Sequence, residues 1–307
     1  MSKPKRAGLT VEEALSKFMV QLEANGRSEH TQAQYQRHVG MLAGWLGPGA
    51  RVDRLDHEDV ARFLASPEAR SRRGGGLKRA SSMNALRSSL KTFFAFLRGA
   101  GYTDRDVGRL IQRAKCRPGP PRGLTAEEQK RLLETLRRED GGRDYMLFHL
   151  LLATGIRIGS ALALRVEDVD LVEAEVRLPH AKGGRVQDRI FLGPAILEHL
   201  ESYLADRREG PLFVSIHGYQ GNPMDGGNPM GPPITARHAN RRLGFWLERA
   251  GIARKVPVHG LRHSFALGLY ERTGDIALVK EALRHRSIAS TLVYASVDER
   301  RLRTALP

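Results

Sequence analysis

Arg117-Pro118-Gly119-Pro120-Pro121-Arg122 divides the chain in two. Three prolines and a glycine deny this stretch helical hydrogen bonds and favour an extended connector, basic at both ends. Residues 1–117 therefore read as one domain, 118–123 as a linker and 124–307 as a second domain. Upstream, Thr10 and Glu13 form a capping box, and Val11, Ala14, Leu15, Phe18, Met19 and Leu22 follow at helical spacing. A second amphipathic helix follows Ser28 with Tyr35, Val39, Leu42 and Leu46 on one stripe, and Gly47-Pro48-Gly49 stops it. A short helix is expected from Asp56 to Leu64, and another carries Leu86, Leu90, Phe93, Phe94 and Leu97 inward. Downstream, Thr125 and Glu128 open a helix to about Arg138, and Tyr145 to Ala153 reads as a fully buried one. Glu175–Leu178 and Arg185–Leu192, flanking a turn at Gly183-Gly184, read as an antiparallel hairpin. Helices resume at Ala195–Asp206, Ala236–Ala250, His259–Thr273 and Ile276–His285, with a Gly-, Pro- and Asn-rich loop at Gly218–Pro233. The fold class expected is mainly α: a helical N-terminal domain, then a mixed helical domain with a small antiparallel sheet.

Composition narrows the partner. Fifty Lys and Arg oppose 34 Asp and Glu, for a formal net charge of +16 over 307 residues. Such an excess suits a polyanion, because each phosphate contact releases condensed counterions. An anionic membrane would attract the same charge, but no apolar run approaches the roughly 20 residues a spanning helix needs. Met1–Arg6 is basic and lacks the apolar stretch of a signal peptide. Cys116 is the single cysteine, so no intrachain disulfide forms and a reducing cytoplasm is the expected setting. Nucleic acid is the expected partner.

Polar residues of the second domain read as a phosphoryl-transfer site that uses no metal ion. Arg157 lies in Ala-Thr-Gly-Ile-Arg-Ile, Lys182 in His-Ala-Lys-Gly-Gly-Arg, His259 and Arg262 in His-Gly-Leu-Arg-His, His285 in Leu-Arg-His-Arg, and Tyr294 in Ser-Thr-Leu-Val-Tyr-Ala. Two guanidinium forks match phosphate geometry and stay charged at working pH. A tyrosine hydroxyl can attack phosphorus and conserve the bond energy in a covalent intermediate, so no ATP is required. Each residue also has a plainer reading. Arg157 could be a surface arginine at a helix junction, Lys182 a solvated turn residue, His285 a helix end, and Tyr294, just after Leu292 and Val293, a core tyrosine. His259 and His263 are four apart, as in a His-Glu-x-x-His zinc site. Gly260 stands in the glutamate position and no further ligand follows, so no metal and no cofactor is expected. His263 reads as a structural histidine near Phe265.

In this order, Arg, Lys, His-x-x-Arg, His and Tyr, the motifs resemble the catalytic signature of the tyrosine recombinases, which include phage-type integrases and Xer-type resolvases. The resemblance spans nearly the whole chain. It implies a core-binding, SAM-like N-terminal domain and a catalytic second domain that together clamp double-stranded DNA at specific recombination sites. It further implies Tyr294 as nucleophile of a 3′-phosphotyrosine intermediate, Arg157, His259, Arg262 and His285 on the scissile phosphate, Lys182 as general acid, and a homotetramer on DNA. Two departures stand out: Ser160 where the family has glutamate, and Arg284 where it has glycine. A type IB topoisomerase-like strand passage, or a DNA-binding protein that keeps the fold and has lost the activity, stay open as alternatives. Integration, excision and chromosome resolution are not separated by these residues. Further DNA contacts are expected from Arg72, Arg73, Lys78, Arg79, Asn84, Arg87 and Lys91 in the first domain, and from Arg185, Arg237 and Arg241 in the second. The tail from Asp298 to Pro307 is expected to form a short segment that docks either on a neighbouring subunit, as the resemblance suggests, or on its own.

Overall fold

The computed structural model describes residues 8–72, 74–116, 123–140, 142–178, 189–215, 231–285, 287–288 and 291–294. Residues 118–122 of the expected linker, the Gly183-Gly184 turn, most of the Gly/Pro/Asn loop and the tail lie outside them. The chain forms two compact units, Met1–Arg117 and Pro118–Pro307.

The first unit is helical. Its helices are α1 (Val11–Ala24), α2 (Glu29–Leu46), α3 (His57–Ala65), the single turn α4 (Pro67–Arg70) and α5 (Ala80–Gly99). Both halves of the Thr10/Glu13 capping box form, and Asp56 caps α3 by accepting from the amides of Glu58 and Asp59. Ser28 heads α2 without a side-chain capping bond. The inward stripes meet in one core, where Phe18 packs edge-on against Tyr35 and Phe93 at centroid separations of 5.3 and 5.5 Å.

The second unit begins with α6 (Ala126–Glu139), whose capping box at Thr125 and Glu128 is also complete. The buried α7 (Arg143–Thr154) and the short α8 (Ile158–Leu162) follow. Three antiparallel strands come next, β1 (Val169–Asp170), β2 (Glu175–Arg177) and β3 (Arg189–Phe191), in the order β1-β2-β3. Val176 faces Val169 on one side and Ile190 on the other. The expected hairpin is thus joined by a third, two-residue strand too short to leave a periodic pattern in sequence. The unit closes with α9 (Pro194–Leu204), α10 (Ala236–Arg249), α11 (Val258–Thr273) and α12 (Ile276–Ala282), then a 3-10 turn at Leu292–Tyr294. Helix α7 lies inside the main core, and α11 packs on it. Ala266, Val279, Leu283 and Tyr294 form a smaller buried cluster between α11, α12 and the final turn. Among the described residues no helix is long and apolar enough to cross a membrane.

Candidate active site

Helix α11 supplies the centre of the site. Asn240 on α10 accepts from the amide of Val258 at 3.0 Å, satisfying one of the donors left open at the start of α11. His259, Arg262 and His263 then follow at i, i+3 and i+4, which sets them on one side of the helix. The imidazoles of His259 and His263 meet edge to face with centroids 5.0 Å apart.

Arg262 is buried, and its guanidinium fixes two neighbouring segments. One Nη donates to the carbonyl of Gly155 at 2.5 Å, and the other donates to the carbonyl of Leu283. Gly155 ends α7 in the left-handed region at φ 61°, and a Cβ there would stand 2.3 Å from Cδ1 of Phe265. Glycine alone meets both requirements. Phe265 therefore packs on this turn, whereas the sequence reading set it beside His263. Two residues after Gly155, Arg157 caps α8 with extended backbone. Its side chain is exposed and makes no ion pair or hydrogen bond among the described residues.

The end of α12 delivers His285. The amide of His285 donates to Lys280 O at 3.0 Å and that of Arg284 to Glu281 O at 2.9 Å, the paired bonds of a Schellman stop. That stop requires a left-handed residue, and Arg284 occupies it at φ 51°. A glycine preference at this position thus has a backbone cause. The Arg284 guanidinium donates to the carbonyl of Arg189, tying the helix end to β3. Nδ1 of His285 lies 2.8 Å from Oγ1 of the buried Thr291, and the amide of Tyr294 donates to Thr291 O at 3.0 Å. One buried threonine so holds both the histidine and the tyrosine.

Tyr294 is buried, and its Oη stands 2.7 Å from Nδ1 of His263. Sequence reasoning assigned His263 no chemistry. The available signal was its place one turn after His259 and next to Arg262.

The charges are mutually felt. Burial, then Arg157, lowers the pKa of Arg262 to about 10, which leaves it protonated at neutral pH. Desolvation lowers His259, with Arg262 and Arg157 adding to it. Burial and the same two arginines bring His285 to about 4. Burial, then His259 and Arg262, lowers His263. Burial raises the Tyr294 phenol against the pull of Arg262. The free site therefore holds neutral imidazoles and a protonated phenol beside two cations, an arrangement poised for an anion.

Arg157, His259, Arg262, His285 and Tyr294 are brought together in the second unit. Lys182 and Arg185 lie outside the described residues, as does Arg73 in the first unit. Of the other expected DNA contacts, Arg72, Arg79, Lys91, Arg237 and Arg241 are exposed. Lys78 is half-buried and donates to Ala69 O at 2.6 Å. Arg87 is half-buried and donates to Oδ1 of Asn84 at 3.2 Å. A DNA-facing Asn84 is corrected: the side chain is buried, donates to Ala114 O and accepts from the Ala114 amide. Between Arg237 and Arg241, Asn240 spends its amide capping α11 and bonding Ala236 O.

The family model "Phage integrase family" matches residues 122–301, and "Phage integrase, N-terminal SAM-like domain" matches 15–101. The chain is 33% identical over 284 residues to the tyrosine recombinase XerC of Roseiflexus sp. (strain RS-1), covering 88% of this chain and 84% of that one. It is 27% identical over 294 residues to the XerC of Chromobacterium violaceum, covering 94% and 91%. Among solved structures, the XerH site-specific recombinase bound to difH substrate shares the fold, with a TM-score of 0.68, 22% identity, and coverage of 97% of this chain and 84% of that one. Two family models in sequence order, and relatives matched along nearly their full length, lead to one assignment: the chain belongs to the phage integrase family, whose members are tyrosine recombinases, enzymes that transfer DNA strands.

Proposed function

We propose that this protein is a site-specific recombinase that cleaves and rejoins duplex DNA through a 3′-phosphotyrosine intermediate, without metal ion or ATP. The observation that carries this reading is the convergence of a buried tyrosine, two arginines and three neutral imidazoles from four separate stretches of the second unit. Tyr294 Oη attacks the scissile phosphorus. Arg157, exposed and unpaired among the described residues, and Arg262 take the non-bridging oxygens. His259 and His285 donate hydrogen bonds to the same phosphate, and Lys182 protonates the departing 5′-oxygen. A 5′-hydroxyl from a partner duplex reverses the step and exchanges strands. The assembly is a homotetramer on paired sites, and Arg72, Arg73, Lys78, Arg79, Arg87, Lys91, Arg185, Arg237 and Arg241 hold the DNA backbone.

The test uses a random-sequence library of nicked duplexes, in which loss of a short fragment after cleavage traps the covalent adduct. In EDTA the wild-type chain is expected to capture a subset of sequences. Tyr294→Phe should bind the captured duplex and form no adduct. Equal adduct yield from that variant would remove Tyr294 as nucleophile, and capture strictly dependent on added metal would refute the metal-free mechanism.

A further inference from the structure

His263 takes no part in the chemistry assigned above, yet its ring makes the closest polar contact of the tyrosine hydroxyl. The 2.7 Å separation is that of a strong hydrogen bond, and the two ring centroids lie 5.5 Å apart. With the ring proton on Nε2, Nδ1 presents a lone pair and the phenol must donate. Position enforces the contact from both sides. His263 is fixed by α11, one turn beyond His259 and adjacent to Arg262, while Tyr294 is fixed by Thr291 and by the apolar cluster of Ala266, Val279 and Leu283. A phenol is a poor nucleophile while it keeps its proton, so attack needs an acceptor within hydrogen-bond reach. Lys182, assigned to the leaving group, cannot be that acceptor in the same step.

We propose that His263 is a further catalytic residue, which orients the Tyr294 hydroxyl and accepts its proton as the Oη–P bond forms. This rests on the recombinase reading above. As Oη bonds to phosphorus, the P–O5′ bond breaks. The phenolic proton passes to Nδ1 of His263, and the departing O5′ takes its proton from Lys182. In the rejoining step the incoming 5′-hydroxyl returns a proton to Lys182, and the departing phenolate recovers its own from the His263 imidazolium. No oxidant, nucleotide or metal enters the balance. The transient imidazolium stands close to His259 and Arg262, and the negative charge growing on the phosphorane oxygens is what makes it tolerable there.

The rival reading is that His263 merely satisfies a buried hydroxyl, and the experiment separates the two. Single-turnover cleavage is measured with full-length protein on a nicked duplex captured by the wild type, made once with the normal 5′-oxygen leaving group and once with a bridging 5′-sulfur. A thiolate departs without protonation, so the sulfur substrate bypasses the general acid and leaves nucleophile activation exposed. His263→Phe should retain DNA affinity and slow cleavage of both substrates by the roughly 10²–10⁴-fold typical of proton-transfer catalysis. His263→Asn, whose Oδ1 replaces Nδ1 as acceptor without becoming a base, should recover part of that loss. Lys182→Ala, by contrast, should be rescued by sulfur. His263→Phe cleaving at the wild-type rate, or a His263 defect cured by sulfur, would overturn the assignment while leaving Tyr294 as nucleophile. Failure of the wild type to capture any duplex would instead bring down the recombinase reading and this one with it. Should His263→Phe prove unfolded, the Asn variant decides: slower on both substrates supports the proposal, and wild-type rates refute it.

Discussion

Gly155 is the residue on which the site's geometry most depends, although it carries no functional group. Its carbonyl receives Arg262, its left-handed φ ends α7 two residues before Arg157, and its missing side chain admits Phe265. Gly155→Ala adds a left-handed penalty of about 1–2 kcal/mol to an overpacking cost of about 1–3 kcal/mol. Gly251, at φ 68° with open space around its Cα, supplies the control. Gly251→Ala should show only the backbone cost, about 1–2 kcal/mol. Denaturant unfolding of the two variants measures the difference, and equal losses would mean that Phe265 moves aside freely.

At the scale of elements, the tie between α12 and β3 is the least ordinary feature. Arg284→Gly removes the left-handed strain of about 1 kcal/mol and loses a hydrogen bond of comparable worth, so net stability should change little. Local protection should change more. Amides of β3, paired in register with Glu175, Val176 and Arg177, are expected to exchange several-fold faster by hydrogen–deuterium exchange, while those of α11 stay protected. Unchanged β3 exchange would show that the tie bears no part of the hairpin's order. Elements of this kind divide according to whether their cause is local. The capping boxes at Thr10 and Thr125, the stripes of α1 and α5 and the buried run of α7 were legible because each depends on residues within a turn or two. The Tyr294–His263 contact spans 31 positions, and the seating of Phe265 on Gly155 spans 110, so neither leaves a periodic trace in sequence. Asn84 was misread for a related reason: it borders the stripe of Met83 and Leu86, and only the course of the chain back to Ala114 encloses it. Arg157, His259, Arg262, His285 and Tyr294, picked out by their order in sequence, do come together in the fold, while Thr291 and His263, which contact His285 and Tyr294, left no such pattern.

For the whole molecule, acid is the condition that finds its weak points. His38, His149 and His285 are each depressed to about 4 from an ordinary 6.5, with burial the largest cause in every case. Folded, they bind fewer protons than the unfolded chain between those values. Stability is therefore complete above about pH 6.5, falls as pH drops through the window and levels off below about 4 where these groups are concerned. His149, set between the rings of Tyr145 and His199 with an unbonded Nδ1 among the described residues, is the clean probe. His149→Phe should flatten the fall by about 1 kcal/mol at pH 5, after discounting for water that still reaches the ring, or a few degrees in Tm. An identical slope in the variant would assign the acid sensitivity elsewhere.

In the proposed reaction Arg262 and Arg157 share a chemical task, but they differ in what else depends on them. Arg262 closes the C-terminal segment onto α7 through two carbonyls, and losing it strands both acceptors, at about 3 kcal/mol. Arg157, exposed and unpaired among the described residues, can be lost for within about 0.5 kcal/mol. In a living cell the two alanine variants should be equally silent for different reasons. Arg157→Ala would accumulate to normal levels as an intact protein, whereas Arg262→Ala would be scarce and short-lived, cleared by proteases. Immunoblot abundance beside DNA-bound occupancy would sort them. A genetic selection for inactive alleles would thus return one arginine as a poison, able to fill a DNA site and block its active siblings, and the other as a simple absence.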